Sequence, residues 1–124
     1  MDASDEWDAT DDGELDAGAM VSALTIEVPL TAVPDAQVVA GAPRTGSVDL
    51  DEDMGLGVWQ MTVGAMRDTE VSEIFVVVAG EATVDFVSPA LPSIELAPGA
   101  IVRFESGMQT VWTVRETLRK VYLA

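Results

Sequence analysis

Short β-like segments separated by glycine and proline constrain the fold of this chain more than any other feature of its sequence. From residue 20 onward, runs rich in Val, Ile, Thr and aromatic residues recur between breaks such as Pro34, Gly64 and Gly107, and no stretch has a convincing helical period. About eight or nine short strands at this spacing predict an all-β sandwich or barrel, with a tight hairpin at Gly80. The predicted strands are 21–28, 37–40, 56–63, 73–79, 81–87, 93–96, 100–104, 110–114 and 117–123.

The absence of histidine and cysteine limits the chemistry that the chain can perform. Without cysteine there is no disulfide, zinc–thiolate site, iron–sulfur cluster or thiol nucleophile. Without histidine there is no Ser-His-Asp or Cys-His catalysis and no imidazole-ligated metal. We therefore expect neither a metal site nor a cofactor.

The acidic residues are concentrated in the first part of the chain. The formal net charge of the 124 residues is −16. Residues 1–53 hold 14 Asp and Glu against one basic residue, whereas residues 54–124 hold eight acidic and five basic residues. We interpret 1–19 as an acidic, mobile tail and 20–124 as a single domain. A sharper interpretation has the tail contacting a basic partner, with Trp7 as its anchor.

The charge and the hydropathy of the chain also indicate its surroundings. A basic face for phosphate groups is missing, so we expect no nucleic-acid binding. No apolar run approaches the roughly 20 residues that a membrane span needs, and the first residues lack the basic and apolar parts of a signal peptide. The sequence therefore predicts a cytoplasmic protein without membrane contact.

The acidic cluster at residues 49–53 has part of the pattern of a calcium-binding loop. Asp49, Asp51 and Asp53 alternate as hard oxygen ligands do in such loops. The glycine arrives one place late, at Gly55, and the twelfth position is Gln60 instead of glutamate. A solvated loop is the better interpretation.

Two spaced motifs resemble those of the cupins, which are small jelly-roll β-barrels. Residues 73–80 have the glutamate, six residues and glycine of the first cupin motif. Residues 99–110 have the spacing of the second motif, with Glu105 in place of the usual proline and Thr110 in place of the usual histidine. The resemblance implies a cupin-type double-stranded β-helix.

One branch of the cupins is more similar, namely the small domains that resemble the cupin domain of (S)-ureidoglycine aminohydrolase. The resemblance covers about residues 55–124, and that enzyme type is metal dependent and usually has two cupin domains. Of the usual metal ligands only Glu73 is present, and Asp68 and Glu70 precede it without an imidazole. The supporting pieces are Gly57-Val58-Trp59, Gly64 with eight residues between it and Glu73, Trp112-Thr113-Val114 and Arg119-Lys120-Val121-Tyr122.

The resemblance implies a small-molecule site at the barrel mouth, and the absence of histidine predicts that this site has no histidine-ligated metal. Strand alternation places Glu73 with Phe75, and Thr110 with Trp112, and either Glu73 or Tyr122 is a candidate catalytic acid or base. The candidate ligand-binding residues are Trp59, Arg67, Glu73, Phe75, Arg103, Gln109, Thr110 and Trp112. The plainer alternatives are that Glu73 pairs with Arg67 or Arg103, and that the tryptophans only fill the core.

Two functions remain open on this sequence. The first is a small cupin of uncharacterised activity that binds a small molecule. The alternative is a non-catalytic binding or regulatory module that works as a homodimer, in which an N-terminal strand at 24–28 adds to the sheet of a neighbour.

Overall fold

The computed structural model describes residues 15–124, which form nine β-strands and no helix. Trp7 and most of the predicted acidic tail lie outside the described residues. Within residues 15–124, no helix is long and apolar enough to cross a membrane. The strands are β1 (Thr31–Ala32), β2 (Val38–Ala40), β3 (Arg44–Asp51), β4 (Leu56–Met61), β5 (Gly64–Thr69), β6 (Glu73–Ser88), β7 (Ile94–Leu96), β8 (Ile101–Phe104) and β9 (Gln109–Leu123).

Strands β6 and β9 organise the barrel, and all pairings are antiparallel. The first half of β9 lies between β5 and β6, and its second half lies between β4 and β6. The other edge of β6 pairs with β8 near its start and with β7 further along. Strands β3 and β1 extend the sheet from β4, and β2 extends it from β5. The curled sheet confirms the predicted all-β, cupin-like fold.

The hairpin predicted at Gly80 is wrong, because the predicted strands 73–79 and 81–87 are two halves of the continuous strand β6. Gly80 has a φ of 94°, and a Cβ atom built there would lie 2.2 Å from the carbonyl oxygen of Thr117 on β9. The strand bends at this point while its neighbour passes very close, which only glycine permits. Strand β9 likewise unites the predicted strands 110–114 and 117–123.

The strand predicted at 21–28 is also wrong, since this segment consists of turns and irregular backbone. Its apolar residues include Ile26 and Val28, which pack with Val48 and Val58 in a cluster of their own. Val48 of β3 and Val58 of β4 lie on the face of the sheet that points away from the barrel interior. The β-branched residues of this segment therefore cover a sheet instead of extending one.

Strands β3 and β5 were not predicted, because charged residues and glycine interrupt the alternation of apolar residues. The preferred interpretation of residues 49–53 as a solvated loop is wrong for its first part. Asp49 and Asp51 belong to β3, and the backbone N–H of Met54 donates to Asp51 Oδ1 across 3.1 Å.

Two apolar clusters hold the described chain together. The larger one fills the barrel, and the smaller one lies between the outer face of β3, β4 and β9 and the segment before β1. The N–H of Leu15 donates to the carbonyl oxygen of Leu50 across 2.6 Å, and Arg119 Nη1 donates to the carbonyl oxygen of Ala23 across 3.0 Å. Leu15 falls inside the predicted tail, so this part of the tail contacts the domain.

Candidate functional site

The candidate site depends on which side chains of β9 point into the barrel. Thr110, Trp112 and Lys120 are buried on the inner face, and Tyr122 is half-buried on the same face. In the second half of the strand, Lys120 lies opposite Trp59 of β4 and Val77 of β6. The even-numbered residues of β9 therefore place both polar and aromatic groups inside the barrel.

Lys120 carries a charged group into the barrel and pairs there with Glu73. Only 4% of the lysine is exposed, and its Nζ lies 2.5 Å from Glu73 Oε1. Three aromatic rings surround the ammonium group, with centroids 4.2 Å away for Phe75, 4.7 Å for Trp59 and 5.0 Å for Trp112. We call this set of Glu73 and three rings the lysine cage. Burial of an ammonium group requires such partners, because an unpaired charge in this position would be strongly unfavourable.

The walls of the lysine cage are fixed by contacts among its aromatic rings. The ring centroids of Trp59 and Trp112 are 5.2 Å apart, and those of Phe75 and Trp112 are 6.0 Å apart. Phe104 of β8 packs against Phe75 at 5.3 Å and against Trp112 at 5.9 Å. Tilted and edge-on contacts at these distances are favourable, so the cage belongs to a packed core and has little freedom to rearrange.

A second buried carboxyl group, that of Glu70, lies beside the cage. Thr110 Oγ1 and Trp112 Nε1 donate to Glu70 Oε2 across 2.6 and 2.9 Å. Burial raises the pKa of the Glu70 carboxyl above its ordinary value, and the two hydrogen bonds offset part of this effect. Trp112 therefore serves both groups, because its ring faces Lys120 and its N–H binds Glu70.

Hydrogen bonds join the two loops at this end of the barrel. The N–H of Glu70 donates to the carbonyl oxygen of Met108, and the N–H of Gly107 donates to the carbonyl oxygen of Glu70. Ser72 Oγ accepts from the N–H of Ser106 across 3.0 Å. The loop after β5 and the loop after β8 are therefore held together at Glu70 and Ser72.

Asp68 and Tyr122 are two further titratable groups on the inner face. Burial raises the pKa of Asp68, whereas a backbone hydrogen bond and the charge of Lys120 lower it. The hydroxyl of Tyr122 donates to Asp49 Oδ1 across 3.1 Å. Burial raises the pKa of Tyr122, and the charge of Asp49 raises it further.

A surface pocket of about 430 Å³ borders the lysine cage at Glu73. Its lining comes from the loop before β6, the start of β6, the end of β8, the loop after β8 and the last residue of β9. It combines charged, hydroxyl and apolar groups. The lining residues are Ser72, Glu73, Ile74, Arg103, Phe104, Glu105, Ser106 and Leu123.

The structure brings together most, but not all, of the site residues that the sequence predicted. Trp59, Glu73, Phe75 and Trp112 form the lysine cage, Thr110 binds Glu70, and Tyr122 lies on the same face of β9. The remaining three point outward and are exposed, although Arg103 also lines the pocket. These three are Arg67, Arg103 and Gln109.

The predicted pairing of Glu73 with Arg67 or Arg103 is wrong, because both arginines lie on outward positions of their strands. Arg67 is opposite Val111 of β9, and Arg103 is opposite Ile74 of β6. The partner of Glu73 is Lys120, which the sequence interpretation did not select. One signal was present, since Lys120 is the only lysine in the chain.

The donor set does not fit the metal ion that the cupin motifs imply. The ammonium group of Lys120 lies against Glu73, the one retained ligand position, and would repel a cation there. The hydroxyl of Thr110, at the usual histidine position, donates to Glu70. Among residues 15–124, no group of three or more Asp and Glu residues is arranged to hold a metal ion.

A curled antiparallel barrel with these two motifs at one end defines a cupin-fold protein. The chain belongs to the EutQ-like cupin domain family, whose model matches residues 48–122. Among curated proteins, none matches this sequence. The finer resemblance to the ureidoglycine aminohydrolase domain stays a prediction.

Solved structures show the same fold at low sequence identity. A DUF861 family protein of unknown function from Pseudomonas syringae pv. tomato is 19% identical with a TM-score of 0.67, over 82% of this chain and 45% of that chain. The EutQ protein of Clostridium difficile is 16% identical with a TM-score of 0.57, and the match covers 77% of this chain and 78% of that chain. A predicted oxalate decarboxylase from Thermotoga maritima is 11% identical with a TM-score of 0.54, over 78% and 91%. This chain thus spans less than half of the Pseudomonas protein.

Proposed function

We propose that this cupin-fold chain binds a small molecule in the pocket beside Glu73, without a histidine-ligated metal. The observation that carries the proposal is the position of the Glu73–Lys120 ion pair. The pair is buried in an aromatic cage, and Glu73 also borders a pocket of about 430 Å³. Pockets of this size with a few convergent polar groups are typical of small-molecule sites.

The lining of the pocket indicates the kind of molecule that it accepts. Arg103 and Glu105 supply charges of opposite sign, and Ser72 and Ser106 supply hydroxyl groups. Ile74, Phe104 and Leu123 provide apolar surface. A small molecule with both an acidic and a basic or hydroxyl group, attached to a short apolar part, matches these features.

Glu73 and Tyr122 remain the candidate groups for acid or base chemistry. Glu73 lines the pocket, so it would lie within reach of a bound molecule. Tyr122 is engaged with Asp49. We therefore favour Glu73 over Tyr122 for a direct contact with the ligand, and we propose binding as the activity to test first.

The test is a thermal-shift and NMR screen with small amino acids and hydroxy acids as probes. We expect a probe that stabilises the wild type to lose most of its effect in Arg103→Gln. The matched control is Arg115→Gln, which removes an exposed arginine that pairs with Glu95 outside the pocket. Equal binding to the two variants, or no binding by any probe, would contradict the proposal.

A second candidate function, a homodimeric binding module, is favoured by exposed apolar residues on the outer face. Ile74, Ile101 and Leu123 are neighbours there through the pairing of β6 with β8 and β9, and Ile101 is 75% exposed. We expect Ile101→Glu to weaken self-association in analytical ultracentrifugation, with Val87→Glu as the control at an exposed apolar residue elsewhere. A wild type that stays monomeric at all concentrations excludes this candidate.

Contact of the acidic tail with a basic partner and a cytoplasmic location remain predictions.

A further inference from the structure

The position of the only lysine in the chain is unusual. The other five basic residues are arginines, so the sequence does not rely on lysine for surface charge. Lysine is among the residues that are most rarely buried, yet Lys120 is 4% exposed inside the barrel. The burial of Lys120 therefore calls for a specific physical explanation.

The surroundings of the Lys120 ammonium are those of a binding site for an organic cation. Three aromatic rings lie within 4.2–5.0 Å of Nζ, and Glu73 accepts a hydrogen bond from it across 2.5 Å. Ring faces attract organic cations, and proteins recognise quaternary ammonium ligands with aromatic cages. A carboxylate adds a charge-assisted hydrogen bond that an ammonium N–H can donate. The rings also contact one another and Phe104, so the cage does not depend on the lysine for its walls.

Charge around the cage favours a cation over a neutral group. Three carboxyl groups lie at this end of the barrel, those of Asp68, Glu70 and Glu73. The positive charge of Lys120 lowers the pKa of both Asp68 and Glu70, and its ammonium group pairs with Glu73. Removal of the ammonium group would leave these carboxyl groups without the cation that balances them.

We propose that the lysine cage is a binding site for a primary alkylammonium group, and that Lys120 is its tethered occupant. The side chain fills the site from within the barrel wall, so the wild-type chain needs no external cation there. The proposal is separate from the pocket proposed above, because it concerns the space that Lys120 fills and not the space outside Glu73.

The variant Lys120→Ala tests this proposal, since it removes three methylene carbons and the ammonium group. The n-propylammonium ion has the same heavy atoms, and 1-propanol is its neutral counterpart. We expect n-propylammonium chloride to stabilise K120A in a saturable way, with an affinity at least tenfold higher than that of 1-propanol. Wild type and K120M, in which the cage stays filled, should show no saturable effect.

Controls separate the site from general salt and solvent effects. Sodium chloride at equal ionic strength should not reproduce the stabilisation, and K120A/E73Q should bind n-propylammonium more weakly than K120A. If K120A is unfolded without additive, the same comparison is made on refolding yield. Failure of n-propylammonium to exceed 1-propanol in either format overturns the proposal, whereas a loss of ligand binding in the outer pocket does not affect it.

Discussion

The free energy of unfolding should respond to the Glu73–Lys120 pair in a way that no surface ion pair does. The two side chains are 9% and 6% exposed, whereas those of Glu95 and Arg115 in the exposed pair are 67% and 46% exposed. In Lys120→Met, the aliphatic stem is retained, but Glu73 is left as an uncompensated charge among aromatic rings. Breaking a buried pair in this way costs about 3–5 kcal/mol.

The double variant gives the sharper test, because replacing both charges removes the unpaired one. We expect K120M/E73Q to be more stable than K120M alone, although it carries one more substitution. For the exposed pair, the coupling energy from R115M, E95Q and their combination should be about 0.2–1 kcal/mol. Its smaller value follows from the access of water to both groups.

Equilibrium urea unfolding, followed by tryptophan fluorescence, measures these differences. A loss of 3 kcal/mol lowers the midpoint by roughly 1–3 M, at slopes of about 1–3 kcal/mol per molar. The reasoning is refuted if K120M loses less than about 1 kcal/mol, or if K120M/E73Q is less stable than K120M. The first result would mean that losing the ammonium group leaves no costly unpaired charge, and the second that the Glu73 carboxyl is not destabilising once Lys120 is removed.

Three further predictions concern the site and the bend of β6. The raised pKa of Glu70 means that the folded chain holds this proton more tightly than the unfolded chain, so stability falls as the pH rises above the ordinary value of 4.5. Glu70→Gln should therefore flatten this decline in the free energy of unfolding. In urea titrations the variant should be more stable than wild type at pH 7, and this difference should disappear below pH 4.5. Trp112→Phe removes the N–H that donates to Glu70 and should cost about 1–3 kcal/mol in urea unfolding, and a smaller loss would mean that water replaces this donor. Both Gly80 and Gly107 have φ above 90°, so replacing either with alanine should cost roughly 1–3 kcal/mol of backbone strain. Gly80→Ala should cost more than Gly107→Ala, because of these two glycines only Gly80 has atoms within 4 Å of the added Cβ. Equal losses of the two variants in urea unfolding would contradict this.

The fold was predictable because apolar alternation is strong in β6 and β9, the two long strands that organise the barrel. Residues of β6 and β9 largely alternate in burial and carry β-branched and aromatic side chains, which is the pattern that predicts a strand. The bend at Gly80 was misjudged because a glycine with positive φ is needed both in a hairpin turn and in a kinked strand. What separates the two is the close approach of Thr117, which depends on the register between distant strands.

The candidate site was predictable only in part for the same reason. Glu73, Phe75, Thr110 and Trp112 follow from the two motifs and from strand alternation. The outward position of Arg67 and Arg103 depends on the register of β5 and β8, which no local pattern reports. Lys120 was passed over because a charged residue in a strand usually faces solvent, and its partner Glu73 is 47 positions away.

The place of β9 in the barrel has a consequence for the order in which the chain folds during synthesis. Strands β4, β5 and β6 all pair with β9, which follows them along the chain. Until β9 leaves the ribosome, these strands lack a shared partner, the lysine cage lacks its cation, and Glu73 has no counter-charge. The barrel therefore cannot close before β9 is available, and until then the strand edges that β9 covers stay unpaired and open to pairing with other chains.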